Sequence, residues 1–351
     1  MLEIDGAVEA GWPDEGVAAH YGDPLREQRV AATPSGALVD RSNRGVVTIT
    51  GPDRLSWLHS LTSQHLERLA PFRCAQALIL SPQGHLEHHL TLTDDGATVW
   101  AHVEPGTAPA LVTYLNSMRF MLRVEVADLS ATHGVLSFLR PTESADSPAP
   151  ADFPSLGGVK AVTRGALGED IVVELDRVGE VAGKLDAPVA GMWAYEAARI
   201  AAHLARPGVD TDHKTLPHEA GYIETAVHLN KGCYRGQETV ARVHNLGHPP
   251  RRLVFLHLDG GADRLPAHGA PIVGPEDREV GVVGSAALHY ELGPIGLGLV
   301  KRTVPTGATL LADGVAAAQE VIVAPDAGGA VKVTLRRDSV PQPPPAARKL
   351  I

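Results

Sequence analysis

From Leu253 onward the chain consists of short apolar runs separated by Gly and Pro: Val254–Leu258, Pro271–Val273, Val280–Ser285, Ile295–Val300, Val321–Val323 and Val331–Leu335. Such runs are too short for helices and are bounded by turn residues, so each reads as a strand. Together they predict an all-β module, a small barrel, over 251–338. Pro341 to Pro345 is Pro-rich and predicts a disordered tail over 339–351.

Upstream of Arg251 the pattern is different. Val46–Thr50 predicts a buried strand, and Gly51-Pro52-Asp53 opens a helix with Leu55, Leu58, Leu61, Leu66 and Leu69 on one broad face. Gln76–Leu80 and Leu86–Thr93 predict a hairpin around Ser81-Pro82-Gln83-Gly84. Ala97–Val103 follows, then a helix over Thr107–Met118 and a strand over Leu122–Ala127. Later come a strand over Asp170–Leu175, a helix over Asp176–Leu185 and a strongly helix-favouring Met192–Ala202. Strands and helices mix without a βαβ repeat, so the class is α+β rather than doubly wound. At 351 residues the chain is too long for one ordinary core. The divisions expected are a partly ordered lead-in over 1–36, one mixed region over 37–135, a second over 156–250, and then the barrel. The polar stretch Pro141 to Ser155 between the two mixed regions reads as a mobile surface loop.

Charge and composition remove several function classes. The net charge of −10 argues against a general nucleic-acid surface. No apolar stretch reaches the length of a membrane span. Met1 to Ala10 carries Glu3, Asp5 and Glu9 and no basic residue, unlike a secretory leader. The two cysteines, Cys74 and Cys233, make no disulfide framework and suit a reducing cytoplasm. They also cannot supply the four thiolates that usually hold an iron–sulfur cluster, so any cluster role is transient, shared between chains or indirect.

Chemistry concentrates in Lys231-Gly232-Cys233-Tyr234-Arg235-Gly236-Gln237-Glu238. No hydrophobic period runs through these residues, and two glycines bracket the thiol. Cys233 lies two residues from Lys231 and two from Arg235, and cationic neighbours favour a thiolate. Glu238 is placed to pair with Arg242 one helical turn on. Lys231, Arg235, Arg242, Arg251 and Arg252 form a local basic strip suited to an anionic ligand or an acidic partner. On the Met192–Ala202 helix, Tyr195 and Arg199 share a face that suits a flat heterocycle. Glu219 lies in the turn Pro217-His218-Glu219-Ala220-Gly221. Among the 17 histidines the densest group, His85 to His89, sits on a strand and lacks the order of a zinc motif, so no metal site is assigned. Cys74, beside an apolar run, reads as a packing residue.

The Lys-Gly-Cys-Tyr-x-Gly-Gln-Glu octet with Val240-Ala241-Arg242 resembles the signature of the YgfZ-type folate-binding proteins. These are relatives of the glycine-cleavage T-protein, an aminomethyltransferase. Weaker similarity runs from about Val39 to about Val304. The resemblance implies a T-protein-like multidomain fold and a tetrahydrofolate or other reduced-folate cofactor. It also implies iron–sulfur client proteins as partners, tRNA-modifying enzymes among them, and a functional Cys233. Folate contacts are expected from Tyr195, Arg199, Glu219, Lys231, Tyr234, Arg235, Gln237, Glu238 and Arg242. Two departures count against aminomethyl transfer. The acidic pair of the transferases aligns with His88 and His89, and the acid of their Arg-Leu-Glu-Ala-Gly helix aligns with Ala201. The alternatives are a folate-dependent one-carbon transferase and a non-catalytic adaptor with a structural Cys233.

Overall fold

The computed structural model describes residues 1–141 and 155–329. The loop expected at Pro141 to Ser155 (save its end residues), the Val331–Leu335 strand and the Pro-rich tail lie outside the described residues.

Two five-stranded sheets and a closed six-stranded barrel make up the architecture. The first sheet runs, in spatial order, Cys74–Leu80, Leu86–Asp94, Thr98–Val103, Gly45–Thr50 and Glu125–Asp128, each pair antiparallel. Its β-branched and leucine side chains on one face meet the Arg54–Leu61 and Ala108–Ser117 helices. Ile49, Trp57, Leu58, Ile79, Leu90 and Leu111 form the core between them. The strand expected from Leu122 begins only at Glu125, because Phe120 adopts a positive φ and the chain is still turning there.

The second sheet draws on distant parts of the chain. Its order is Val159–Gly165, Gly168–Glu174, His133–Leu139, Ala37–Asp40 and Val189–Ala190, antiparallel except for the last pair. It therefore takes strands from before residue 41 and from after residue 155, on either side of the other sheet in sequence. Val46 of the first sheet packs with Val135, Ala161 and Val172 of the second, so the two sheets meet through apolar faces.

The lead-in is not loosely ordered, which corrects the expectation for 1–36. Val8–Glu9 pairs with Ala18–His20, and Pro24–Ala31 is a helix that starts on Asp23, whose carboxylate accepts from the Arg26 amide at 3.0 Å. Val17, Ala18 and Ala19 are buried, and the helix packs beside Met192–Ala201. So few apolar residues carry no readable period, yet each has a partner elsewhere in the fold.

The barrel strands are Arg251–Leu258, Gly293–Lys301, Glu279–His289, Pro271–Val273, Thr309–Ala312 and Val315–Val321. Val254 and Leu256 fill its interior, while Leu253 and Phe255 point the other way onto Ala197 and Ile200 of the Met192–Ala201 helix. One strand is thus buried on both faces, which is why its sequence is continuously apolar. The last two strands depart from the reading: Thr309–Ala312 was not expected, and Val315–Val321 ends where a Val321–Val323 strand was predicted. Val315–Val321 is alanine-rich, and alanine gives little strand signal.

One close approach fixes the signature segment. The hairpin turn ends at Gly84, and a Cβ there would lie 2.8 Å from Thr239 Cβ. Across from it, a Cβ on Gly236 would lie 2.5 Å from the Ser81 carbonyl oxygen and 2.9 Å from Gly84 Cα. Both glycines have φ of +81°. Gly232 has open space around its Cα and no such φ. Gly236→Ala is therefore expected to cost about 1–3 kcal/mol of stability, whereas Gly232→Ala stays within about 0.5 kcal/mol. Denaturant unfolding of the two variants checks this, and equal stabilities would refute the contact.

Candidate functional site

A cavity of about 620 Å³ opens between the two sheets, the Met192–Ala201 helix and the end of the barrel. Its walls include Arg41, Arg44, His89, Glu104, Tyr195 and Arg206. The charged groups around it form one network. Arg206, 4% exposed, donates 2.7 Å bonds to both oxygens of Asp14, a 2.6 Å bond to Glu104 and a 3.2 Å bond to Glu196. Arg199, 3% exposed, donates to Glu196 at 2.8 Å, to Asp210 at 2.8 Å and to Ser285 of the barrel at 2.5 Å. Arg44 donates to Glu104 at 2.6 Å and to His102 Nδ1 at 3.0 Å. Arg41 bonds Ser137 at 3.0 Å and Asp170 at 3.3 Å, and its guanidinium lies 3.8 Å from the Tyr195 ring centroid. Removing these charges from water is tolerable only because each has several partners. Burial disfavours the Glu104 carboxylate, but Arg44, Arg206 and Arg41 outweigh it and hold the acid well below the ordinary range.

Burial disfavours the charged form of His89, His102 and His218 on the cavity wall, so none of the three substitutes for an acid. His89 Nε2 lies 3.0 Å from Gln76 Oε1, its ring is 5.0 Å from that of Tyr222, and burial pushes it down to about 4. His88 borders only the second cavity, about 920 Å³, where its ring stands 6.5 Å from Tyr114. His218 is 5% exposed with neither ring nitrogen hydrogen-bonded, and burial, with His244 beside it, lowers it to about 4. His102 accepts from Arg44 through Nδ1 and faces Asp170 through Nε2 at 3.3 Å, and burial lowers it too.

The residues expected from sequence divide into two groups. Tyr195 and Arg199 line the 620 Å³ cavity, but they do not sandwich it. Arg199 is held by two carboxylates, and the cation stacked on Tyr195 is Arg41. Lys231, Cys233, Tyr234, Arg235, Gln237, Glu238 and Arg242 line neither cavity. Lys231 is 8% exposed, and its ammonium donates to the carbonyls of His59, Thr62 at 2.5 Å and Gln64 at 3.0 Å. Tyr234 is buried among Leu78, Leu80 and Leu86, with Lys231 Nζ 5.0 Å from its ring. Gln237 donates weakly to the Lys231 carbonyl at 3.4 Å. Arg235 pairs with Glu87 at 2.8 Å, and its guanidinium lies 5.4 Å from the Tyr114 ring. Glu238 and Arg242 form the expected pair, 2.7 Å apart on the Gln237–Leu246 helix.

Two expectations are corrected here. The basic strip does not present free cations. Arg251 is engaged by Asp212 and Glu219, and Arg252 lies inside the barrel against Gln319 at 2.7 Å. Lys231 and Arg235, which flank Cys233 in the sequence, are both bonded elsewhere. Cys233 itself is exposed and unpaired as a disulfide. Glu219 is no loop acid either. It is fully buried and accepts from Arg251 and from the Leu216 amide at 2.9 Å, clamping the barrel's first strand to the preceding turn. Cys74 accepts from the Arg164 amide at 3.2 Å, and burial raises its thiol, in keeping with a packing role.

Sequence reasoning did not find Asp14, Arg41, Arg44, Glu104, Arg206 or Asp210. They stand singly in the chain, in no motif. The one available signal was charge in otherwise apolar surroundings, as with Glu104 directly after the Thr98–Val103 strand.

A pH dependence follows from the buried imidazoles. Their folded values lie below the unfolded value, so the unfolded chain binds more protons in between. Stability is therefore expected to fall as pH drops from 6.5 to about 4, by on the order of 3 kcal/mol for His218 alone. Denaturant midpoints measured across this range check the sign. A flat profile would mean that these rings are protonated in the fold.

Comparison with known proteins places this geometry. No family model matches the chain. A homologue of the iron–sulfur cluster assembly factor IBA57 from Mycosarcoma maydis is 25% identical over 236 residues, 61% of this chain and 55% of the relative. The chain thus spans about half of that protein's length. An aminomethyltransferase from Rubrobacter xylanophilus is 26% identical over 324 residues, covering 86% of this chain and 85% of the relative. Among solved structures, the glycine cleavage system aminomethyltransferase T of Bartonella henselae superposes with a TM-score of 0.77 at 19% identity, covering 93% of this chain and 96% of that one. The chain has the aminomethyltransferase fold and is homologous both to aminomethyltransferases and to the assembly factor IBA57.

Proposed function

We propose that this protein binds a reduced folate in the 620 Å³ cavity and uses Cys233, outside that cavity, in the assembly or repair of iron–sulfur enzymes, as a YgfZ-type protein. The observation that carries the reading is the separation of the two features. A thiol exposed at the surface serves a partner protein or its cluster, not a molecule enclosed between the sheets. The cluster is cargo in this reading and is never held by this chain's two cysteines alone.

The cavity chemistry supports a flat heterocycle with N–H donors. Tyr195 supplies an aromatic surface, and Glu104 and Asp170 supply carboxylates kept ionised by arginines. Aminomethyl transfer is disfavoured on the same wall. A transferase needs a carboxylate to stabilise a developing cationic amine centre. His89 on this wall, and His88 beside the second cavity, align with the acids of the transferases, and a buried imidazole bonded to Gln76 supplies no negative charge. The name of the IBA57 relative, which assembles iron–sulfur clusters, favours the same choice.

Titration of the purified protein with tetrahydrofolate is expected to saturate. Tyr195→Ala should weaken binding at least about tenfold, equivalent to about 1.4 kcal/mol. Absence of saturation at millimolar folate would remove the cavity assignment, and folate turnover with the glycine-cleavage carrier protein would establish the transferase instead.

Cys233→Ser removes the soft, ionisable sulfur at nearly constant size. The variant should keep its stability and folate affinity, yet fail to support iron–sulfur enzyme activity in cells. A fully active Cys233→Ser protein would leave only a non-catalytic adaptor.

A further inference from the structure

The Arg54–Leu61 helix runs into an irregular segment that brings His59, His65 and Glu67 together. One ligand atom from each lies within 4.8 Å of the other two. The imidazoles of His59 and His65 meet edge to face with centroids 4.6 Å apart. His59 Nδ1 is buried and has no hydrogen-bond partner. Leaving such a group unpaired is costly, so its persistence asks for a function or a ligand.

The backbone that carries these side chains is held unusually firmly. The buried Lys231 ammonium is bonded to the carbonyls of His59, Thr62 and Gln64, on both sides of the turn between the two histidines. The Ser63 carbonyl accepts the His228 amide at 2.9 Å, and Ser63 Oγ accepts the Leu78 amide at 2.9 Å. Thr62 Oγ1 donates back to the Leu58 carbonyl at 2.8 Å. Both imidazoles therefore project from a backbone segment fixed by several hydrogen bonds.

We propose that His59, His65 and Glu67 bind one divalent transition-metal ion of the zinc class, with the remaining coordination positions open to solvent or to a partner. Two imidazoles and one carboxylate are the donor set of open zinc sites and of facial-triad iron sites. Bonds of about 2.0–2.2 Å place neighbouring donors about 3.4 Å apart. The three ligand atoms now lie within 4.8 Å of one another, so binding requires them to close to that spacing. The Lys231 charge opposes a second cation nearby, but three carbonyl oxygens surround it and Glu67 adds a compensating negative charge. The site is independent of the folate cavity, whose walls include none of these residues.

The test uses the full chain, stripped with a chelator and titrated with zinc(II) against a chromophoric competitor, then with cobalt(II) followed by its visible absorption. One equivalent is expected to bind with a dissociation constant of about 1 μM or tighter, and zinc should raise the unfolding temperature. His65→Gln and Glu67→Gln should each weaken that site at least about tenfold and lose the thermal shift, while the metal-free variants melt like the metal-free parent. Glu67 is exposed, so its variant keeps the test valid if His65→Gln perturbs folding. With 17 histidines in the chain, weak sites elsewhere are the alternative source of uptake. Zinc uptake that is non-saturating, or unchanged in both variants, would overturn the assignment.

Discussion

Everything that meets at the centre of this molecule depends on the pairing of Arg206. Its guanidinium reaches Asp14 from the N-terminal segment, Glu104 from the end of a strand of the first sheet and Glu196 from the helix that leans on the barrel. Arg199 extends the same set of charges to Asp210 and to Ser285 of the barrel. Isolated charges at this depth would be forbidden by the loss of hydration. Linked, they make each unit's position a condition for satisfying the others, because withdrawing any one leaves an uncompensated buried charge. The apolar contacts hold each sheet to its own helices, and the barrel to the Met192–Ala201 helix. Val46, Val135, Ala161 and Val172 also join the two sheets, and the ion network adds a polar tie around the cavity.

That network also sets the chemistry the cavity offers. Carboxylates there remain ionised because guanidiniums outweigh the cost of burial, while burial lowers His89, His102 and His218. The wall therefore combines carboxylates, the arginines that pair with them, a flat phenol ring and buried imidazoles. In the proposed function this surface orients a heterocycle rather than moving a proton. The same physical rule, burial against partners, separates Glu104 from His89 although the two border one space.

The signature octet is best understood as a fastening that carries one exposed thiol. Lys231 is an internal donor to three carbonyls, Tyr234 is core, and Gly236 is the only residue type that fits against Ser81 and Gly84. Arg235 ties the loop to Glu87 on the hairpin. Cys233 stands among these fixed neighbours without sharing their contacts. A thiol held on a rigid loop at the surface suits exchange with another molecule, since its position costs no further ordering when a partner arrives.

The sequence by itself determined the class of fold. Continuous apolar runs spaced by Gly and Pro announced the barrel, and the Pro-x-Gly hairpin and the leucine helix announced the first sheet. All of these are local signals, written in periodicity and turn residues. The Glu238–Arg242 pair was legible for the same reason, since helical spacing alone brings it together. What the octet does in the fold was not legible. Whether Lys231 faces solvent, ligand or carbonyls depends on residues 59 to 64, far away in the chain. The cavity was likewise invisible, because Asp14, Arg41, Glu104, Arg206 and Asp210 come from separate elements and leave no motif. Tyr195 was found, but its partner Arg41 was not, nor were the carboxylates that hold Arg199. Only tertiary structure chooses among the partners a charge might take, because that choice turns on which groups lose water together when distant segments close over them.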